Sequence, residues 1–143
     1  MTKACSARRM IHRRLVLLLV VIALAFLGYW LRFKAPISPD ARDDVGGVAY
    51  VVFFVFVAAF VAPMTRASRI ALIVLLVTCV LEFLQLWHPV WLERIRSTFI
   101  GRCLLGTTFG WSDFPPYFLG AVIGWALLRI LERVTNKRAN IHA

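Results

Sequence analysis

The sequence predicts an all-α, polytopic membrane protein: a four-helix transmembrane bundle with a re-entrant or interfacial segment between spans three and four. Three observations predict it. First, 61% of the 143 residues are hydrophobic, against about 45–50% apolar in an ordinary soluble domain. A chain this short cannot bury that excess in a core of its own, whereas a bilayer absorbs it. Second, the apolar residues gather in four runs, each near the roughly 20 residues that a helix needs to cross hydrocarbon. Third, charged residues make up only 17% of the chain, and most of them stand between or outside the runs. That composition excludes disorder and leaves no length for a separate soluble domain. Backbone polar groups inside hydrocarbon must be paired internally, and the runs lack the alternation of barrel strands. The spans are therefore helices.

The first span covers about 15–31. Lys3, Arg8, Arg9, Arg13 and Arg14 precede it, and Gly28-Tyr29-Trp30 brings interfacial aromatics to its end. The apolar stretch runs past the 7–15 residues of a secretory signal, and its one small-x-small triplet, Ala23-Leu24-Ala25, lies inside it. An uncleaved span is expected. A polar loop with Pro36 and Pro39 follows. The second span covers about 45–64 and begins directly after Asp43 and Asp44, acids that suit a helix N-terminus. A tight turn with Pro63, Arg66 and Arg69 leads to the third span, about 70–91, which Pro89 breaks near its end. Residues 93–113 are mixed, with Gly101, Gly106 and Gly110. The fourth span, about 114–131, opens on Phe114-Pro115-Pro116. Residues 1–14 and 132–143 form basic cytoplasmic tails around one membrane domain, 15–131.

The formal net charge is +10, and its placement decides what it means. With the N-terminus inside, eleven of the 17 Lys and Arg fall on the inner side and six on the outer side. Cytoplasmic flanks carry the cation excess, so both termini are expected in the cytoplasm of a bacterial inner membrane. No aromatic-interleaved basic surface accompanies the charge, so nucleic acid is not an expected partner. Cys5, Cys79 and Cys103 are odd in number and lack a CxxC pair, which argues against a disulfide framework or a zinc site. No metal and no cofactor is expected, because no phosphate-binding loop, GxSxG, HExxH or dinucleotide fingerprint is present.

The polar exceptions inside the apolar runs carry the functional signal. Glu82 stands within span three, where a carboxylate costs about 2.5–3.5 kcal/mol near the helix centre. Thr78 and Gln85 lie four back and three on, so the three share one helix face. That stripe is expected to face the bundle interior. Two roles are open for it: hydrogen-bonded glue between helices or part of a site. Arg96 is the expected partner of Glu82, with Arg94 and Arg102 as alternatives, because a buried carboxylate needs a countercharge or a proton. Asp113 suits the N-cap of span four. Asp113, Tyr117, Gly120 and Gly124 follow at intervals of four, three and four, so they share a face. Gly120 and Gly124 form a GxxxG pair that allows close helix approach. Either Asp43 or Asp44 joins the outer-side acids, with Asp44 taken as the candidate.

These residues, in order, resemble a known family. Glu82-Phe-Leu-Gln85, Arg96, Asp113, Tyr117, Gly120 and Gly124 look like the Glu-x-x-Gln … Arg … Asp-x-x-x-Asn-x-x-Gly signature of VanZ-like bacterial membrane proteins, with Tyr117 standing where that pattern has Asn. The longer set Arg96-Ser-Thr-Phe-Ile-Gly101, Leu105-Gly106, Phe109, Trp111-Ser-Asp113 and Tyr117-Phe-Leu-Gly120 more closely resembles an uncharacterised relative, domain of unknown function 2809. The likeness spans roughly residues 28–130 and implies a small multi-span protein of the bacterial inner membrane. It implies no assigned activity.

Three functional readings follow. In the first, Asp44, Glu82, Gln85, Arg96, Arg102, Asp113 and Tyr117 line an outer-leaflet polar pocket that binds a lipid or envelope-precursor headgroup. Its partners are membrane lipids of anionic or polyprenyl-phosphate type. In the second, the polar residues only hold the helices, or a homo-oligomer, together. In the third, acids hold a divalent cation for chemistry on a lipid phosphate. The reading leans away from an enzyme, because no metal-dependent transferase spacing is present.

Overall fold

The computed structural model describes the backbone of residues 2–34, 36, 38–106 and 108–141. Side chains of 2–10, 32–33, 39–40 and 136–141 are outside that description, so the tail cations Lys3, Arg8, Arg9, Lys137 and Arg138 are too. The chain forms α1 (Thr2–Phe33), α2 (Pro39–Val61), α3 (Ala67–Leu84), α4 (Val90–Arg96), α5 (Phe99–Leu105), a 3₁₀ turn (Trp111–Asp113) and α6 (Phe114–Ile141).

Four helices are long and apolar enough to cross a membrane: Ile11–Leu31, Ala41–Val61, Ala67–Leu84 and Trp111–Thr135. This is the expected multi-pass bundle. Between the third and fourth spans stand two short helices, α4 and α5, of 7 residues each. At about 1.5 Å per residue neither can cross hydrocarbon.

The boundaries differ from the sequence reading in three places. Helix α1 continues back to Thr2 through the basic segment, because no Pro or Gly interrupts it there. Helix α2 begins at Pro39, earlier than the expected 45, so Asp43 and Asp44 sit inside the helix. Its N-cap is Ser38, whose Oγ accepts from the Ala41 N–H at 3.4 Å, with Pro39 in the first turn. Pro is tolerated there because the first-turn N–H groups have no intrahelical acceptor. Helix α3 stops at Leu84, seven residues before the expected end at 91. Residues 85–87 turn instead, and Pro89 starts α4.

Helix α2 is the centre of the bundle, packing against α1, α3 and α6. Val51, Val55 and Ala59 are fully buried there, with Ile70 and Val74 of α3 and Ala121 and Leu128 of α6 around them. Gly120 and Gly124 bring α6 against α2. A Cβ on Gly120 would lie 2.8 Å from the Val48 carbonyl oxygen, and one on Gly124 would lie 3.1 Å from Val55. The outward faces stay apolar and exposed, as at Phe26, Leu72, Val80, Val122 and Ile130. In water such a surface would aggregate; in a bilayer it meets lipid.

The two ends of the bundle are fastened differently. At the end that carries the termini, Arg13 of α1 pairs with Glu132 of α6 at 2.8 Å and donates to the Pro63 carbonyl between α2 and α3. At the opposite end the fastening is the polar cluster around Glu82.

Candidate functional site: a carboxylate hub beside an amphipathic cavity

Glu82 lies in the last turn of α3 and is 1% exposed. A carboxylate taken out of solvent must replace its water with other donors, and three arrive from three parts of the chain. Gln85 Nε2 and the Tyr117 hydroxyl each donate to Oε2 at 2.8 Å, and the Gly110 N–H donates to Oε1 at 3.0 Å. One carboxylate thereby joins α3, the loop before α6, and the first turns of α6. Asp113 lines the same cavity as Glu82. Gln85 is seated by Gly106, whose φ of +67° favours glycine. A Cβ on Gly106 would fall 2.5 Å from Gln85 Nε2, so only glycine lets the loop close over the amide.

Arg96 does not pair with Glu82. It is 3% exposed, and its guanidinium donates to the carbonyls of Leu84 at 2.8 Å and Trp87 at 3.0 Å and to Glu93 at 2.9 Å. The last carbonyls of a helix lack intrahelical donors, and a guanidinium carries several in one plane. Arg96 therefore caps the end of α3, and this accounts for the early stop of that helix. Glu93 also meets His88 Nδ1 at 2.9 Å. The His88 contact, then the Arg96 hydrogen bond, holds the Glu93 carboxyl below the ordinary glutamate range.

Beside the hub lies a cavity of about 930 Å³. Leu24, Ala25, Gly28 and Leu31 of α1 supply an apolar wall. The rest of the lining is mixed: Tyr50 of α2, Thr78, Glu82 and Gln85 of α3, and Asp113 and Tyr117 of α6 stand among Phe53, Leu81, Leu104 and Leu105. Arg42, Asp43 and Arg102 also line the cavity. Gly28 and Gly46 border the space differently from the packing glycines: a Cβ on either would meet nothing within 4 Å. They keep volume open, whereas Gly120 and Gly124 close it.

The structure bonds Gln85 and Tyr117 to Glu82, places Asp113 and Arg102 in the same cavity lining, and leaves Asp44 and Arg96 outside it. Asp44 is exposed and outside the cavity lining, where its neighbour Asp43 is found. Arg102 lines the cavity on α5, with one long bond of 3.3 Å to the Ser97 carbonyl. Among the described residues no three His, Cys, Asp or Glu side chains converge as a metal-ligand set.

Two features escaped the sequence reading. Tyr50 donates to the Leu104 carbonyl at 2.9 Å, tying α2 to α5. Its signal was a lone hydroxyl in an otherwise apolar run. Phe83, Phe109, Trp111 and Phe114 form an aromatic cluster with ring centroids 5.1–6.3 Å apart. Its signal was the density of Phe and Trp on both sides of the glycine-rich loop.

A family model described as protein of unknown function DUF2809 matches residues 39–121. The chain belongs to the DUF2809 family. The match begins at the first residue of α2 and ends in α6 just past Gly120, so it takes in the Glu82 hub, both short helices and most of the polar cavity wall. Helix α1, which supplies the apolar wall, precedes the matched stretch of this DUF2809 protein. No solved structure matches the chain.

Proposed function

We propose that this multi-pass DUF2809 protein binds a membrane or envelope-precursor lipid by its headgroup in the cavity beside Glu82. The observation that carries the reading is the amphipathic lining of the cavity. Apolar residues of α1, with Phe53, Leu81, Leu104 and Leu105, share a space of about 930 Å³ with hydroxyl, amide and carboxyl groups of α2, α3 and α6. An amphiphile matches both kinds of group at once, as a wholly polar or wholly apolar molecule does not. Arg102 supports contact with a phosphate, since guanidinium and phosphate pair through two parallel hydrogen bonds. Glu82 and Arg96 hold the frame: the first fastens the polar wall, and the second ends α3 so that the loop can turn over it.

The cavity lies at the end of the bundle away from the termini. The excess of Lys and Arg at the other end supports a cytoplasmic location for both termini in a bacterial inner membrane. On that orientation the cavity serves the outer leaflet.

The experiment is lipid analysis by mass spectrometry of purified wild type, Gly46→Leu and Arg102→Ala. Gly46→Leu fills space without touching the core and is expected to lose the bound lipid. Arg102→Ala is expected to lose phosphate-bearing lipids selectively. Identical lipids in identical amounts on all three would remove the basis of the proposal.

A second reading is favoured by the saturation of Glu82, whose three donors are all internal. On this reading the hub is structural and the protein is an accessory or self-associating subunit. It requires that Gly46→Leu, correctly folded, keep every function that Glu82→Gln loses.

A further inference from the structure

We infer that the lipid head carries hydroxyl or ammonium hydrogens, and that one of them is donated to Gln85 Oε1. This rests on the lipid-binding reading above and adds the chemical class of the head.

The argument counts donors and acceptors on the polar wall. Gln85 Nε2 donates to Glu82 Oε2, so the amide turns its NH₂ toward that carboxyl group. Gln85 Oε1 is then the atom left over. It is buried and makes no hydrogen bond, in a residue 6% exposed that lines the cavity. The loop at Gly106 sits against the amide, which prevents the side chain from swinging to another donor. The neighbouring hydroxyls have the same bias. Tyr117 gives its hydrogen to Glu82, Tyr50 to the Leu104 carbonyl and Thr78 to the Val74 carbonyl. Each keeps lone pairs and has no further hydrogen to offer. Around Gln85 the wall therefore presents acceptors, while the guanidiniums of the lining stand on α2 and α5 at Arg42 and Arg102. A buried acceptor left without a donor is costly, and a donor-bearing head satisfies Gln85 Oε1. The chain of such a lipid has room along α1, beside Gly28 and Gly46.

The test uses the full-length protein in detergent, titrated by native mass spectrometry with lipids of identical chains. Phosphatidylethanolamine offers ammonium hydrogens, phosphatidylglycerol offers hydroxyls, and phosphatidylcholine offers neither. The ethanolamine or the glycerol lipid, or both, is expected to bind about tenfold more tightly than the choline lipid, the order expected of one or two hydrogen bonds. Whichever arm shows the preference identifies the donor. In Gln85→Leu that preference should shrink to within about threefold, with binding retained. Because Gln85→Leu also takes a donor from Glu82, a second measurement uses wild type alone. Mono- and dimethylated ethanolamine lipids keep at least one N–H. If ethanolamine is the preferred arm, affinity should drop mainly at the trimethyl step. Equal affinity for all three heads, or an unchanged preference in folded Gln85→Leu, overturns the inference while leaving lipid binding intact. No binding of any of the three overturns the lipid-binding reading as well.

Discussion

Tyr117 on α6 donates its phenolic hydrogen to Glu82 on α3, 2.8 Å away, across the buried end of the bundle. The two residues stand 35 positions apart in sequence, and the whole α4–α5 excursion is inserted between them. Their bond therefore closes the loop that roofs the cavity. Tyr117→Phe keeps the ring and deletes the donor. It should lower stability by about 1–3 kcal/mol, the cost of leaving a buried polar group without its partner. Denaturant or thermal unfolding in detergent reads this directly. An unchanged midpoint would show that Glu82 does not depend on the tyrosine.

Arg96 should tolerate no substitute. Arg96→Lys keeps the charge but cannot reach Leu84, Trp87 and Glu93 together, because an ammonium lacks the planar fork. Hydrogen exchange of the amides of residues 85–97 should accelerate in Arg96→Lys, and more so in Arg96→Ala. Exchange in α1 should stay the same in both. Unaltered protection at 85–97 would mean that the helix end is held by something else.

The glycines should divide into two classes. Gly120→Ala places a Cβ 2.8 Å from the Val48 carbonyl oxygen, so α2 and α6 must move apart. The cost is about 1–3 kcal/mol, as for overpacking generally. Gly28→Ala meets open space and sits inside a helix, where Ala is favoured over Gly by roughly 1 kcal/mol. It should be neutral or stabilising. Comparing the two melting curves checks the assignment, and equal losses in both would contradict it.

Glu93 should titrate below an ordinary glutamate because of His88 first and Arg96 second. A lowered folded pKa stabilises the folded state at pH above the ordinary value. That contribution disappears as pH falls through the lowered one. Glu93 is exposed, so the effect is small and best read by NMR titration of its carboxyl carbon. The midpoint should rise toward the ordinary range in His88→Ala. A midpoint that does not move would assign the shift to Arg96 alone.

Much of the fold was legible because a bilayer imposes length and composition on whatever crosses it. The four runs stood out by those criteria alone, and the GxxxG pair of α6 was visible as spacing. Glu82, Gln85, Asp113 and Tyr117 could be singled out because a polar group is conspicuous in an apolar run. The role of Arg96 was not legible. Sequence logic matched the buried acid with a cation just beyond Pro89, but helix-end carbonyls also attract a guanidinium, and they appear in no side-chain pattern. Asp44 was preferred over Asp43 although the start of α2 was misplaced, and one residue along a helix turns a side chain by about 100°.

The sequence by itself determined that this is a multi-pass helical membrane protein, and which polar residues it keeps at a cost. Those are properties of each segment in its solvent, so they are local and additive. Only the tertiary structure decided what each polar group bonds to, that Gly28 and Gly46 face empty space, and that Gln85 Oε1 is left without a donor. Those depend on which helix lies beside which and how each is rotated. A hydrogen bond is made or lost within about an ångström, a precision that residue spacing alone does not carry.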